Sequence, residues 1–346
     1  FPYPNVNNLN AMTPTTNGIS FANISHHRSE LMGLAMIAIV LFHVNVPRLS
    51  PFYGLWRMGN MGVDVFLFLS GVGLWYALTG NTSLKRFFTR RYLRIYPTWL
   101  LVASLYYVPR FLQGAKGTKE MIDLAGDVLV NWDFWLHDEL TFWYIPATMM
   151  LYLFAPAYVK LVSRHPVYRW LPVLMMVWCV AVQWVVPLHN AVGHIEIFWS
   201  RVPIFFIGIN CGAMVKQGQS LSAQSVWLLV AAVVLSLGVD IYLEQTRHGL
   251  FPLFIGRMLY ILATFSLVLL LSNWLTAVPQ AIKRALRLVG MVSLEMYLLH
   301  VHFVLVRVQS MQWGYWGTFL ACFAITLPLA WLLNKGMEKL TKRFER

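Results

Sequence analysis

The charged residues of this chain arrive in clusters, and the intervals between clusters are apolar stretches close to the length of a bilayer crossing. A helix rises ~1.5 Å per residue, so about 20 apolar residues cross a ~30 Å hydrocarbon core. Cut at charges, prolines and glycines, the sequence gives ten such windows: 31–47, 61–79, 95–112, 142–162, 170–187, 197–215, 225–243, 252–273, 288–307 and 315–334. The residue balance agrees: 58% are hydrophobic and 12% charged, far from the mix of a soluble domain. The expectation is an all-α integral membrane protein, a bundle of about ten transmembrane helices in one unit over 28–340. A polar tail, 1–27, and a short basic tail, 341–346, flank it.

Basic residues set the orientation, because cytoplasmic loops carry the Lys/Arg excess. With the N-terminus inside, the inner segments collect Arg28, the run from Lys85 to Arg94, Lys160 to Arg169, Lys216, Lys283 to Arg287, and the C-terminal lysines and arginines. Both termini are expected to be cytoplasmic. The formal charge of +13 then lies largely beside anionic lipid headgroups and calls for no nucleic acid. Cys179, Cys211 and Cys322 are widely spaced in apolar runs and match neither a metal-ligand spacing nor a disulfide framework. The first 24 residues lack the basic start and apolar middle of a secretory signal, and read as a loosely ordered tail. The longest outer connection, about 112–141, carries six acidic residues and the aromatic run "NWDFWLHDEL", the pattern of an interfacial lid or of a packed outer loop.

Ionisable groups inside a bilayer are costly and mark candidate sites. At ~1.5 Å per residue, His43 in "IVLFHVN" lies about 18 Å from the inner surface and Asp64 about 6 Å from the outer one, depths close enough for contact. Arg201 and Arg257 fall in the outer third, and His300 near the depth of His43. A neutral histidine held by a carboxylate is a natural general base, so His43 with Asp64 is the expected pair, and Glu295 a second possible orienter. A histidine hydrogen-bonded across helices for packing alone is the competing reading. Ser70 is expected on the far side of its helix, away from the site, which argues against a covalent acyl-enzyme.

Three further stretches carry chemistry. "KRFFTRRYLRIYP" is rich in arginine, whose guanidinium forks bind phosphates in bidentate fashion, and Tyr92 or Tyr96 could stack on a base; a topogenic, lipid-contacting cluster reads the same way. "FWYIPA" presents Trp143 and Tyr144 to the outer side, as walls of a sugar groove or as members of the aromatic belt. Arg201 could hold an acceptor, steady Asp64 or polarise a carbonyl.

The succession "ELMGLAMIAIVLFH", "GVDVFLFLSG", "RFFTRRYLRIYP", "FWYIPATMMLYLFAP", "RVPIFFIGINCG" and "LVGMVSLEMYLLH" resembles, in that order over nearly the whole chain, the acyltransferase-3 family of membrane acyltransferases. The resemblance implies ten transmembrane helices and transfer of an acyl group, acetyl or succinyl, from cytoplasmic acyl-CoA to a hydroxyl of a glycan or similar acceptor. It implies acetyl-CoA as the first candidate co-substrate, no metal, and a bacterial inner membrane. It maps the first-helix histidine to His43, the acidic position to Asp64, and the basic loop to Arg90, Arg91 and Arg94. The family's first-helix arginine finds Met32 and Gly33 at its place, and Arg28, one turn earlier, is the expected substitute. The acceptor side would draw on Trp143, Tyr144, Arg201, Arg257 and His300. Membrane lipids are expected partners, a homodimer is left open, and a glycan or lipid-intermediate transporter without bond chemistry is the rival class.

Overall fold

The computed structural model describes residues 18–80, 82–114 and 116–342. The described residues are all-α apart from one pair of two-residue strands, Ile19–Ser20 against Ser220–Leu221. Every one of the ten apolar windows lies on a helix or a bent helix pair. Among the described residues six helices are long and apolar enough to cross a membrane, or up to eight if each bent pair is one span. The shortfall from ten has a plain cause. Arg28–His43 has only 16 residues, and Leu84–Gln113, with 30, begins with the arginine run. Both of these helices line the site.

The helix Gly62–Leu78 runs through the middle of the bundle, with buried residues on all its faces. Glycine lets its neighbours come close: a Cβ on Gly71 would collide with the Phe205 carbonyl, and one on Gly208 with the Phe68 carbonyl. The helix Val202–Gln217 therefore packs backbone to backbone against it, the close approach that small residues permit in membranes. A second crossing of this kind joins Arg28–His43 to Gln280–Met291, where a Cβ on Gly33 would meet the Leu286 carbonyl and one on Gly290 the Ser29 carbonyl.

Residues 18–27 differ from the loose tail expected of them. Ile19, Phe21 and Ile24 are buried, Ala22–His26 is helical, and Asn273 accepts from the Ser20 N–H at 2.9 Å and from Asn23 Nδ2 at 2.7 Å. Three apolar side chains, too few to register in a hydropathy window, suffice to dock the segment. The rest of that tail, residues 1–17, and residues 343–346 of the basic tail lie outside the described residues.

The connection 112–141, expected on the outer side, contains two further helices, Thr118–Val130 and Trp132–Leu136. They meet at Asn131, whose φ of 55° lies in the left-handed region that asparagine tolerates. The Asn131 side chain is fully buried, donates to the Thr141 carbonyl at 2.8 Å and accepts from the Tyr107 hydroxyl at 3.3 Å. The segment is thus pinned to the helix Leu84–Gln113 rather than resting on the surface.

Candidate active site

A cavity of about 680 Å³ lies among the helices Arg28–His43, Gly62–Leu78, Leu84–Gln113, Tyr144–Arg164 and Gly314–Thr341 and the bend at Gly290–Tyr297. Its lining sorts by chemistry. One part is cationic, with Arg90, Arg91, Arg94, Lys335 and Lys342, and Glu338 beside them in the lining. Ser70, Tyr144, Thr148 and Tyr297 then supply neutral hydroxyls, and Ile39, Val63, Phe66 and Ile145 an apolar wall. A smaller hollow of about 170 Å³ shares Arg90, Arg91, Arg94 and Tyr152 with the first.

The three arginines stand in the first turns of the helix Leu84–Gln113, with Arg91 and Arg94 at i, i+3, and Ser83 caps its N-terminus by accepting the Arg86 N–H at 3.3 Å. Arg94 donates to the Met291 carbonyl at 3.1 Å and lies 3.9 Å from Glu295 Oε1. Arg91 lies over the Phe87 ring at 5.9 Å. Glu295 is fully buried and also accepts from Asn334 Nδ2 at 2.9 Å, so its contacts steady the arginine mouth and do not run to His43. The hydroxyls of Tyr92 and Tyr96 donate to the carbonyls of Met149 and Leu129, each at 3.1 Å, and neither ring lines the cavity. Tyr152 does so, which its sequence context did not single out.

Arg28 lines the cavity and donates Nε–H to the Leu69 carbonyl at 3.3 Å. Of the two residues at the place of the family's arginine, Met32 lines the cavity, and Gly33 abuts the Leu286 carbonyl so closely that no side chain fits there. Arg28 reaches the same wall from one turn earlier.

His43 and His300 face each other. His43 Nδ1 lies 2.8 Å from the Ile39 carbonyl and 3.2 Å from His300 Nε2. The two rings meet edge to face, 4.8 Å apart at 80°. His300 Nδ1 is 2.9 Å from both the Met296 and Tyr297 carbonyls. Ile39 and Tyr297 line the cavity, so it reaches to one helical turn, about 6 Å of rise, from the two rings. Close by, His302 packs between Tyr106 at 4.7 Å and Phe142 at 4.9 Å, a histidine that sequence reasoning passed over although it stands two residues from His300.

Asp64 is engaged elsewhere than at His43. It accepts from Arg201 Nε at 3.2 Å on a flank of its helix away from Val63, Phe66 and Ser70, which face the cavity. Arg201 also donates to Asn60 Oδ1 at 3.0 Å and to the Ile197 carbonyl at 3.3 Å, and lies 5.3 Å over the Trp143 ring. Arg257 pairs with Glu196 and donates to Ser200 Oγ at 3.1 Å. Trp143 and Tyr144, adjacent in sequence, thus part company: Trp143 covers the Arg201 pair and Tyr144 lines the cavity. Ser70, expected to face away, lines it too. Among the described residues no group of three or more His, Cys, Asp and Glu side chains is arranged to hold a metal ion.

A family model described as an acyltransferase domain, Acyl_transf_3, matches residues 31–335. A protein bearing an acetyltransferase name from Acidianus two-tailed virus is 28% identical over 134 residues, which cover 37% of this chain and 39% of that protein. No solved structure matches.

Proposed function

The chain belongs to the acyltransferase-3 family, and on that premise we propose that it transfers a short acyl group from cytoplasmic acyl-CoA to a hydroxyl of a glycan-like acceptor, with His43 as general base. All ten helical windows would cross the membrane as one unit over 28–340 with both termini inside, placing the arginine mouth at the cytoplasmic face. A bacterial inner membrane fits that arrangement.

One observation carries the reading: a cavity with a cationic mouth and a neutral interior ends one turn from an intramembrane histidine. Coenzyme A carries a pyrophosphate and a 3′-phosphate, and Arg90, Arg91 and Arg94 are placed to fork onto them. The pantetheine arm would follow the hydroxyls of Ser70, Tyr144 and Thr148. Arg28, pinned beside Gly73, would meet it midway. The acyl end would then stop among Ile39, Val63 and Phe66, which favours acetyl over succinyl because no cation lines that end. The acceptor hydroxyl would come from the outer side, give its proton to His43 and attack the thioester carbon. The carbon–sulfur bond breaks, and the proton passes to the departing thiolate. Arg201 and Arg257, bound to Asp64 and Glu196, would hold the outer half of the fold in shape rather than touch the donor.

Acetyl-CoA labelled in its acetyl group, given to inverted vesicles that enclose the host's envelope glycans, tests this. Free thiol should appear in proportion to labelled glycan, and His43→Ala should lower that rate by at least about 100-fold while the protein still folds. Transfer at the wild-type rate in that variant removes the assignment. Export of glycan with no thiol release would identify a carrier instead.

A further inference from the structure

The hydrogen bonds around the two facing rings fix where their protons sit. Carbonyl oxygens only accept. His43 Nδ1 lies 2.8 Å from the Ile39 carbonyl, so in the neutral ring it is Nδ1 that carries hydrogen. His300 Nδ1 lies 2.9 Å from two carbonyls and carries hydrogen for the same reason. His300 Nε2 is then a bare lone pair, and it faces His43 Nδ1–H at 3.2 Å. The opposite assignment would point a His43 lone pair at a carbonyl lone pair at 2.8 Å, and would leave the His300 carbonyls facing another.

We propose that His300 is a positioning residue that, together with the Ile39 carbonyl, holds His43 in its Nδ1-protonated tautomer and so leaves Nε2 of His43 as the atom that receives the acceptor's proton. The inference rests on the general-base reading of His43. In that reaction the hydroxyl proton moves to Nε2 as oxygen bonds to the thioester carbon. The ring becomes an imidazolium whose Nδ1–H is shared between the Ile39 carbonyl and the His300 lone pair. His300 then does with a neutral acceptor what a carboxylate does in a Ser-His-Asp arrangement: it orients the ring and receives part of the new charge through one hydrogen bond. The sequence offered Asp64 for this task, but Arg201 occupies that carboxylate. His300 is itself held from below, because its own Nδ1–H is committed to the backbone at Met296 and Tyr297. It is also buried, with 1% of its surface exposed.

The test reads the tautomer directly. The full-length protein in lipid nanodiscs, with ¹⁵N-labelled histidine and His43→Gln as the assignment control, should show His43 protonated at Nδ1 and bare at Nε2. His300→Leu removes one of the two acceptors, leaves the Ile39 carbonyl at 2.8 Å, and should yield a mixed population of His43 tautomers. His300→Gln supplies an acceptor oxygen to His43 and an amide N–H to the carbonyls, and should restore the wild-type signal. Acetyl-dependent thiol release should follow the same order, with kcat about 10- to 100-fold lower in His300→Leu, partly recovered in His300→Gln, and KM for acetyl-CoA unchanged in both. A His43 protonated at Nε2 in the wild type overturns the proposal. So does a His300→Leu protein that folds, keeps the wild-type tautomer and keeps its kcat. Turnover that survives His43→Ala would instead strike the proposed function and leave the tautomer assignment standing.

Discussion

Arg201 donates from Nε to Asp64 Oδ2 at 3.2 Å, and each of the two side chains keeps only 1% of its exposure. Removing one partner of so buried a pair strands the other charge, at a cost of about 3–5 kcal/mol. Asp64→Ala should therefore unfold at markedly lower temperature in detergent, while an apolar replacement of both, Asp64→Leu with Arg201→Met, should regain much of the loss. Thermal unfolding followed by tryptophan fluorescence reads both. Equal melting of Asp64→Ala and wild type would show that the pair does not hold the helices together.

The arginine mouth should govern donor affinity rather than chemistry. Charge-assisted hydrogen bonds contribute about 1.5–3 kcal/mol each, so Arg94→Ala should raise KM for acetyl-CoA by about 10- to 100-fold with little change in kcat. Acetyl-pantetheine, which lacks the nucleotide, should be used equally by variant and wild type. Glu295→Gln weakens the hold on Arg94 and should shift KM in the same direction by less.

The apolar end of the cavity should measure the acyl chain. Ile39, exposed by only 1%, lies one turn from His43, so a longer acyl group draws its carbonyl away from the base. Ile39→Ala opens that end and should raise the ratio of butyryl-CoA to acetyl-CoA turnover by about 10-fold, the order expected for a few methylenes. The ratio is independent of how much variant folds, and an unchanged ratio would place the acyl group elsewhere.

The outer segment should loosen as pH rises. Burial, then the neighbouring Asp133 carboxylate, push the Asp127 carboxyl up to about 6. A carboxyl whose folded value is raised binds its proton more tightly in the native state. Its contribution is complete below the unfolded value of 3.8 and is lost as pH rises through about 6. Amide protection over residues 118–141, taken relative to the base-catalysed intrinsic exchange rate at each pH, should fall across that window in the wild type and stay flat in Asp127→Asn. The variant keeps a side-chain oxygen for the Asp133 N–H, which now binds Asp127 Oδ1 at 2.9 Å.

Local, additive properties were legible in the residues. Apolar length and the placement of lysine and arginine marked the ten helical windows, the order of the six motifs marked the family, and "RRYLR" marked the cationic wall. A rise of ~1.5 Å per residue even set His300 at the depth of His43. Depth is one coordinate; which way a side chain faces around its helix is another, and that depends on how the helices cross. The glycine contacts at Gly71–Gly208 and Gly33–Gly290 seat those crossings. They turn Asp64 toward Arg201, bring Ser70 and Tyr144 to the cavity, and leave the His43 ring to a second histidine rather than to a carboxylate. The residues alone determined that this chain spans lipid and carries a histidine within it, because transfer from water depends on composition and length. Tertiary structure decided the histidine's partner, because contact depends on rotation and crossing angle, which no single helix specifies.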